Sequence, residues 1–345
     1  MASTSQEITV KPPRKSELTA VLDREKFDQF PNGVTTDTDM IRWEKFRASY
    51  HQAQQLEHFT AFPLQLDFEL NSTCQMKCTF CSHGQERVPK VLLSFENFKR
   101  AIDEGARHGL CSIKMNYINE PLLNRNLYKF VEYARSQSVL NVYFATNGIL
   151  LKQPTAEKLI TAGVSKIMIS LDAVTAQTFQ LMRNSNEFDT IVANIQNFIA
   201  LRNSLGLKYP LVRVNFLRTS INNHEADAFV KYWTGIADTI GLQAQVGLPG
   251  VDDELFNTKD QSETFRCSFP FKLLVVDSSG NILPCCTFSG RSMPLGHIQS
   301  MTLQDAWTSS QMNRLKSIHQ RGEYLRNPVC THCINGTSTK EQPNA

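Results

Sequence analysis

The chain has 345 residues, 41% of them hydrophobic and 20% charged, which indicates about two domains with a sizeable buried core. The 36 Lys and Arg residues nearly balance the 33 Asp and Glu residues, and the net charge of +3 does not favour nucleic acid as a partner. No apolar run reaches about 18 residues, the length of a membrane span, and the first residues lack the apolar core of a secretory signal. We therefore expect a cytoplasmic protein with neither a nucleic-acid nor a membrane partner.

The first 60 residues are expected to form an N-terminal extension. It begins with a polar arm over residues 1–20 and continues with an amphipathic helix over residues 38–58. The helix is predicted from the spacing of four apolar side chains, Ile41, Phe46, Tyr50 and Leu56.

Short strand-like and helical segments alternate from residue 64 onward. The predicted strands are LQLDFEL, SIKMNYI, NVYFATN, SKIMISLD, LVRVNFLR and LQAQVGL. The predicted helices lie near residues 95–108, 125–137, 154–162, 175–205 and 222–237. Six β–α units in series indicate parallel strands joined by right-handed crossovers. The sequence thus predicts an α/β fold, a partial (β/α)6 barrel over residues 61–255.

Several of these strands alternate apolar and polar residues, which is unusual for parallel strands covered on both faces. In the first strand Leu66 and Phe68 interleave with Asp67 and Glu69, and Arg213 interrupts an apolar strand in the same way. If helices cover the apolar face, the polar face lines an open chamber inside the barrel. The alternative is that the polar residues mark solvent-facing edge strands.

The segment CQMKCTFC places Cys74, Cys78 and Cys81 on a loop at the carboxyl end of the first strand. That end of parallel strands is the functional end of α/β folds. A [4Fe–4S] cluster normally takes four thiolates, so three would leave one iron open to a small molecule. A zinc site with His83 as the fourth ligand is the alternative.

CQMKCTFC resembles the C-x3-C-x-aromatic-C signature of the radical S-adenosylmethionine (radical SAM) enzymes. The resemblance extends through INEP (118–121), ATNG (145–148), SLDA (170–173) and the region after Arg183, although INEP has Ile-Asn where the family has Gly-Gly. It implies that Glu120 binds the SAM amino group. It also implies SAM contacts from a set of further residues: Phe80, Asn119, Asn147, Ser170, Asp172, Arg183 and Asn215.

The chemistry implied by the resemblance begins with SAM on the open iron. One electron cleaves its sulfonium to methionine and a 5′-deoxyadenosyl radical, which takes a hydrogen atom from an unactivated C–H bond. A low-potential electron donor of the flavodoxin or ferredoxin type is therefore an implied partner. The protein binds and orients the reactants and excludes water and oxygen.

A second group of cysteines lies in residues 256–345, and with four ligands it suits either zinc or an iron–sulfur cluster. Within the group, CSFPFKLLVVDSSGNILPCC reads as a β-hairpin with an SSGN turn whose second strand ends at cysteine, and PVCTHC closes the group. The segment resembles the SPASM/twitch extension of radical SAM enzymes, a small cysteine-rich β-hairpin/helix domain. The resemblance implies one auxiliary [4Fe–4S] cluster held by four residues, Cys267, Cys285, Cys330 and Cys333.

Two cysteines remain outside these ligand sets. Cys111 is interpreted as a small buried apolar residue. Cys286 has the same structural interpretation, but if it faces the chamber its S–H could return a hydrogen atom to a substrate radical.

The resemblance favours oxidation of a carbinol in a polar small molecule such as a sugar or aminocyclitol, with the auxiliary cluster as electron acceptor. Asp67, Glu69 and Arg213 are then candidates for substrate binding and proton transfer. Radical epimerisation with Cys286 as hydrogen donor and modification of a ribosomal peptide are alternatives. A non-catalytic iron–sulfur or metal-binding protein is the alternative of another class.

Overall fold

A computed structural model describes residues 30–56, 59–81, 83, 89–243 and 265–335, together with the backbone of a strand at residues 19–22. The predicted polar arm lies largely outside the described residues, as do residues 244–248 of the sixth predicted strand, which was expected over 242–248. Within the described part of the chain, no helix is long and apolar enough to cross a membrane.

The strands in chain order are β1 Thr19–Leu22, β2 Gln65–Phe68, β3 Ser112–Lys114, β4 Asn141–Thr146, β5 Lys166–Ser170, β6 Leu211–Leu217, β7 Thr239–Gln243, β8 Leu273–Val276, β9 Asn281–Leu283 and β10 Gly296–His297. They form one sheet in the order β1-β7-β6-β5-β4-β3-β2-β8-β9-β10. Strands β2 to β7 are parallel neighbours, as the sequence predicted, and they form an unclosed barrel.

The helices are α1 Asp37–Gln54, α2 Phe95–Arg107, α3 Leu127–Ser136, α4 Gln153–Ala162, α5 Ala176–Arg183, α6 Phe188–Ser204, α7 Ala226–Trp233, α8 Leu303–Thr308, α9 Ser310–Gln320 and α10 Pro328–Asn335. Helices α2 to α7 follow strands β2 to β6 along the chain. The single predicted helix over 175–205 is wrong, because Asn184 adopts a left-handed conformation (φ 48°) and ends α5.

The apolar face of the strands packs under the helices, whereas the polar face points into the barrel. Leu66, Phe68, Val212 and Val214 are fully buried in the main hydrophobic core. Asp67, Arg213 and Asn215 alternate with them and are also buried. The edge-strand alternative is therefore wrong for β2, which has β3 on one side and β8 on the other.

The β-hairpin between Cys267 and Cys285 continues the barrel sheet. Strand β8 pairs in parallel with β2, and β9 pairs antiparallel with β8. Gly280 closes the turn between them with a φ of 94°, a conformation that glycine adopts without strain. The C-terminal segment is thus joined to β2 by backbone hydrogen bonds.

Helix α1 confirms the helix predicted in the N-terminal extension, but the face of the helix that is buried differs from the predicted one. Trp43 and Phe46 are buried with Cys111, whereas Ile41 is 67% exposed. The predicted spacing was therefore wrong at Ile41. The burial of Cys111 agrees with its interpretation as an apolar core residue.

Candidate functional site

The first cysteine group lies on the loop that follows β2. Cys74, Cys78 and Cys81 are free thiols and half-buried. The N–H of Cys81 donates to the carbonyl of Cys78 at 3.1 Å, which closes a turn between them. The Thr79 hydroxyl donates to the carbonyl of Met182 at 2.9 Å. This loop, residues 71–81, is hereafter called the cluster loop, and the Met182 contact holds it against α5.

Three of the residues assigned to SAM by resemblance meet beside Cys78. Arg183 forms an ion pair with Asp172, and its Nη1 lies 3.6 Å from Sγ of Cys78. Its guanidinium also lies over the ring of Phe80, 5.1 Å from the centroid. The structure therefore brings Phe80, Asp172 and Arg183 to one side of the cluster loop.

Glu120 lies directly beside the cluster loop, since its N–H donates to the carbonyl of Thr73 at 2.9 Å. The N–H of Asn147 donates to Oε2 at 2.8 Å, and the Thr146 hydroxyl donates to Oε1 at 2.7 Å. Burial raises the pKa of Glu120 to about 7, while these hydrogen bonds and one from Leu122 act in the opposite direction. The carboxyl is thus fixed in position before any ligand binds.

Asn147 and Asn119 both form hydrogen bonds with the cluster loop, but at different residues of it. Asn147 extends Nδ2 to within 3.9 Å of Sγ of Cys74, and its Oδ1 accepts from Gln75 at 3.2 Å. Asn119 donates to Oδ1 of Asn71 at 3.0 Å. Asn147 thus contacts a cysteine, whereas Asn119 braces the start of the loop.

Ser170 and Asn215 are partners on β5 and β6, where they lie side by side in register. Asn215 is buried, and its Oδ1 has no hydrogen-bond partner among the described residues. An unsatisfied buried acceptor is costly unless a ligand supplies a donor. This acceptor and the three free thiols of the cluster loop suit a bound SAM and its cluster.

A connected set of polar side chains lines the chamber at β2, β3 and β4. Gln65 donates to Oδ1 of Asp67 at 2.7 Å and accepts from the Tyr143 hydroxyl at 3.0 Å. Lys114 lies 3.9 Å from Oδ2 of Asp67. Burial raises the pKa of Asp67, while the Lys114 charge and the Gln65 hydrogen bond act to lower it. Asp67 is thus a candidate base in a polar wall.

Arg213 enters the chamber from β6, and burial lowers its pKa to about 10. A Cβ atom at position 241 on β7 would collide with the Arg213 guanidinium and with the Asn215 side-chain oxygen. Glycine at 241 therefore leaves the space in which these two polar side chains lie.

Glu69, the third charged candidate, is bound to the C-terminal segment. One oxygen accepts from the hydroxyl of Ser278 at 2.9 Å and from its N–H at 3.2 Å, and the other forms an ion pair with Arg291. In this structure Glu69 joins β2 to the hairpin and the segment after it. A role in catalysis stays a prediction.

The second cysteine group converges on one cavity, here called the auxiliary cavity. Its cysteines are Cys267, Cys285, Cys330 and Cys333, and Thr287 and His319 also line it. Burial raises the pKa of all four thiols, that of Cys267 and Cys330 to about 12. Such thiols become thiolates when a metal centre supplies positive charge. Four convergent sulfurs, one for each iron, fit a [4Fe–4S] cluster.

Cys286 is not among the residues that line this cavity. It packs against an apolar cluster that includes Leu273 and Val275 of β8, which are paired in register with Gln65 and Asp67 and so share their chamber face. Burial raises the pKa of Cys286, and the nearby charge of Asp67 raises it further. The thiol therefore lies beside the chamber face, the position in which the sequence suggested it as a hydrogen-atom donor.

Sequence reasoning missed four residues of these sites. Lys114 and Tyr143 lie on polar positions of alternating strands, a signal that was present but unused. Arg291 and His319 carried no signal, because only the fold brings them to Glu69 and to the auxiliary cavity.

Comparison with protein families agrees with both sites. Residues 68–208 match the radical SAM superfamily, and residues 267–334 match the SPASM family, described as an iron–sulfur cluster-binding domain. The chain thus has a radical SAM domain, as matched over residues 68–208, and a C-terminal SPASM domain, as matched over residues 267–334. These assignments imply SAM and two [4Fe–4S] clusters, one of them auxiliary, and they replace the zinc alternatives.

Among curated proteins, the chain is 33% identical over 170 residues to a probable GTP 3′,8-cyclase of Saccharolobus solfataricus, covering 49% of this chain and 53% of that protein. The chain thus spans about half the length of that relative. Among solved structures, BtrN in complex with AdoMet and 2-DOIA has a TM-score of 0.56 at 18% identity, covering 81% of this chain and 95% of BtrN. Streptococcus suis SuiB bound to precursor peptide SuiA has a TM-score of 0.55 at 16% identity, covering 81% and 72%. These likenesses show the fold.

Proposed function

We propose that the chain oxidises a carbinol carbon of a polar small molecule, similar to a sugar or an aminocyclitol, to a ketone by radical SAM chemistry. The observation that carries the proposal is the placement of Cys285 and Cys286. These neighbours in sequence belong to different compartments, Cys285 to the auxiliary cavity and Cys286 to the chamber wall. Since consecutive Cα atoms are about 3.8 Å apart, the two compartments are separated by little more than one backbone.

The proximity of the two compartments supports an oxidation that sends an electron to the auxiliary site. When bound, the cofactors supply the 5′-deoxyadenosyl radical, which accepts the hydrogen atom from carbon, and an auxiliary acceptor for the second electron. Cys74, Cys78 and Cys81 would hold the first cluster, and the four cysteines of the auxiliary cavity the second. A low-potential flavodoxin or ferredoxin in a reducing compartment such as the cytoplasm would supply the initial electron.

The chamber residues support a substrate rich in hydroxyl or amino groups. Asp67, Lys114, Gln65 and Tyr143 offer both donors and acceptors on one wall, and Arg213 adds donors from another. We assign Asp67 as the base that takes the hydroxyl proton when the C–H bond is broken. Burial raises its pKa, and a carboxylate with a raised pKa is a stronger base than an ordinary one.

Anaerobic reconstitution followed by a screen of deuterated polyols and aminocyclitols tests the proposal. The expected result is about eight iron per chain, deuterium transfer from the carbinol carbon into 5′-deoxyadenosine, and a carbonyl product. Dithionite-dependent cleavage of SAM without any deuterium transfer from the panel would remove the proposed substrate class. Reconstituted clusters without SAM cleavage would instead indicate a non-catalytic iron–sulfur protein.

Epimerisation is a second candidate because the Cys286 thiol lies on the chamber face. The carbon radical would take the hydrogen atom of the Cys286 S–H bond on its opposite face, leaving a thiyl radical that one electron and one proton restore. No electron would then leave the substrate for the auxiliary site. A product that gains one solvent deuterium at carbon in D2O, without a carbonyl group, would favour this candidate.

Modification of a ribosomal peptide remains the other alternative, since SuiB, with the same fold, has been solved bound to a precursor peptide. A peptide substrate would place an extended chain across the chamber mouth. Failure of the small-molecule panel together with deuterium transfer from a labelled peptide would favour this alternative.

A further inference from the structure

His319 on α9 lies between two of the cysteines of the auxiliary cavity. The backbone N–H of Cys267 donates to Nδ1 of His319 at 3.3 Å, and Nε2 of the same ring lies 3.4 Å from Sγ of Cys330. The side chain is only 1% exposed. One buried ring therefore connects the first and third cysteines of the group.

The Cys267 contact determines where the ring carries its proton. A backbone N–H can only donate, so Nδ1 of His319 accepts and has no proton. A neutral imidazole then carries its proton on Nε2, as the hydrogen-bond network requires. The Nε2–H group is consequently directed at the sulfur of Cys330.

The surroundings favour a strong interaction at this sulfur. Apolar side chains of Pro270, Leu315 and Val329 line the same cavity, and they keep the local dielectric low. A hydrogen bond in such surroundings is stronger than the same bond in water. The bond would act on the electron density of the Cys330 thiolate.

We propose that His319 tunes the auxiliary cluster by donating an N–H···S hydrogen bond to the Cys330 thiolate, which raises the reduction potential of the cluster. The reduced cluster carries more negative charge, so a donor to its sulfur ligand stabilises the reduced form. The inference rests on the four-cysteine ligand set and deepens the proposed function, because a higher potential suits a cluster that accepts an electron.

The test uses full-length chain carrying Cys74→Ala, Cys78→Ala and Cys81→Ala, so that the auxiliary cluster is the cluster observed. The midpoint potential is measured by titration monitored with electron paramagnetic resonance. His319→Leu is expected to lower the equilibrium constant for one-electron reduction about tenfold, equal to about 59 mV. His319→Gln retains an N–H donor and should stay near the parent value. His297→Gln, which changes another histidine of the C-terminal segment, should leave the potential unchanged.

Each outcome bears on the proposal. A His319→Leu chain with about four iron and an unchanged potential would overturn it. Loss of the cluster from both the Leu and the Gln variants would also overturn it, because His319 would then be required for assembly and not for tuning.

A second measurement needs no substitution at His319. Electron-nuclear double resonance on the reduced parent, before and after exchange into D2O, should show an exchangeable proton coupled to the cluster. Its absence would contradict the proposed donor even if His319→Leu fails to bind iron. Neither measurement uses a substrate, so failure of the proposed oxidation would be seen separately. A parent without a four-iron cluster would instead contradict the auxiliary cluster itself.

Discussion

The backbone N–H of Asn147 donates a hydrogen bond of 2.8 Å to Oε2 of Glu120. The bond joins the end of β4 to the residue that the family resemblance assigns to the SAM amino group. Burial raises the pKa of this carboxyl from 4.5 to about 7, so its charge changes near neutral pH. Below pH 7 the carboxyl is mostly protonated, and above pH 7 it is an anion that can pair with an ammonium group.

SAM binding is therefore expected to weaken by about tenfold as pH falls from 8 to 6, because one pKa unit corresponds to a tenfold change in ionisation. Glu120→Gln should bind SAM weakly at both pH values. Because this variant lacks the carboxyl, any pH dependence that it retains comes from SAM itself or from another group. Equilibrium dialysis under anaerobic conditions measures both proteins. Parallel pH profiles for the two proteins would show that another group is responsible.

Iron content should distinguish the two neighbouring cysteines. Cys285→Ala removes a thiol of the auxiliary cavity, so we expect iron to fall from about eight to about four per chain after reconstitution. Cys286→Ala is the matched control and should keep about eight. Colorimetric iron and sulfide analysis measures both variants, and the reverse pattern would assign the ligand to Cys286.

Asp67→Asn should separate SAM cleavage from product formation. The amide keeps the size and one acceptor of the side chain but cannot take a proton, so ketone formation should fall by at least about 100-fold. Release of 5′-deoxyadenosine should continue. Asp227→Asn, on the exposed face of α7, serves as control. Full ketone formation by Asp67→Asn would remove Asp67 as the base.

The two candidate reactions respond differently to loss of the Cys286 thiol. For oxidation, Cys286→Ser should retain ketone formation within about threefold, because the side chain is part of the wall only. For epimerisation, it should release 5′-deoxyadenosine but form almost no epimer. Chromatography of both products after a single turnover decides between these outcomes.

Lys316 gives the C-terminal segment a pH-dependent stability. Burial lowers the pKa of Lys316 from 10.5 to about 8, although its ammonium donates to the carbonyl of Trp307 at 3.2 Å and lies over the Trp307 ring. The unfolded chain therefore binds more protons than the folded chain between pH 8 and 10.5, and stability from this group rises with pH in that window.

We therefore expect Lys316→Met to be more stable than the parent protein, with the largest difference in the free energy of unfolding at pH 7 and a smaller one at pH 10. The pKa shift corresponds to at most roughly 3 kcal/mol in the free energy of unfolding. Lys231→Met, at an exposed position of α7, should show no such change. Calorimetric melting at several pH values tests this, and a difference between Lys316→Met and parent that is constant with pH would contradict it.

The barrel strands and the two cysteine groups could be predicted from the sequence, because strand alternation and cysteine spacing are both local patterns. Alternation of Leu66 and Phe68 with Asp67 predicted which face enters the chamber. The order of strands β2 to β7 follows from the short crossovers between them. Cysteine spacing likewise predicted which thiols belong to the cluster loop and which belong to the auxiliary cavity.

Other features depended on contacts between distant parts of the chain. The pairing of β8 with β2 and the position of His319 are tertiary contacts that neither segment reveals alone. The different surroundings of Cys285 and Cys286 are likewise set by the folded chain, since both residues are cysteines and adjacent in sequence. The burial of Trp43 in place of Ile41 shows tertiary packing overriding a spacing that fits more than one helix face.

The parallel pairing of β8 with β2 also affects how the chain acquires its structure during synthesis. Strand β2 is made early, yet one of its two neighbours is encoded at residues 273–276. At about 5 to 20 residues per second, a ribosome takes roughly 10 to 40 s to cover that interval. Throughout it, one edge of β2 has backbone groups without their final partner, and such an edge can pair with another chain. Expression at lower temperature or with a holdase chaperone should therefore increase the yield of protein able to bind both clusters.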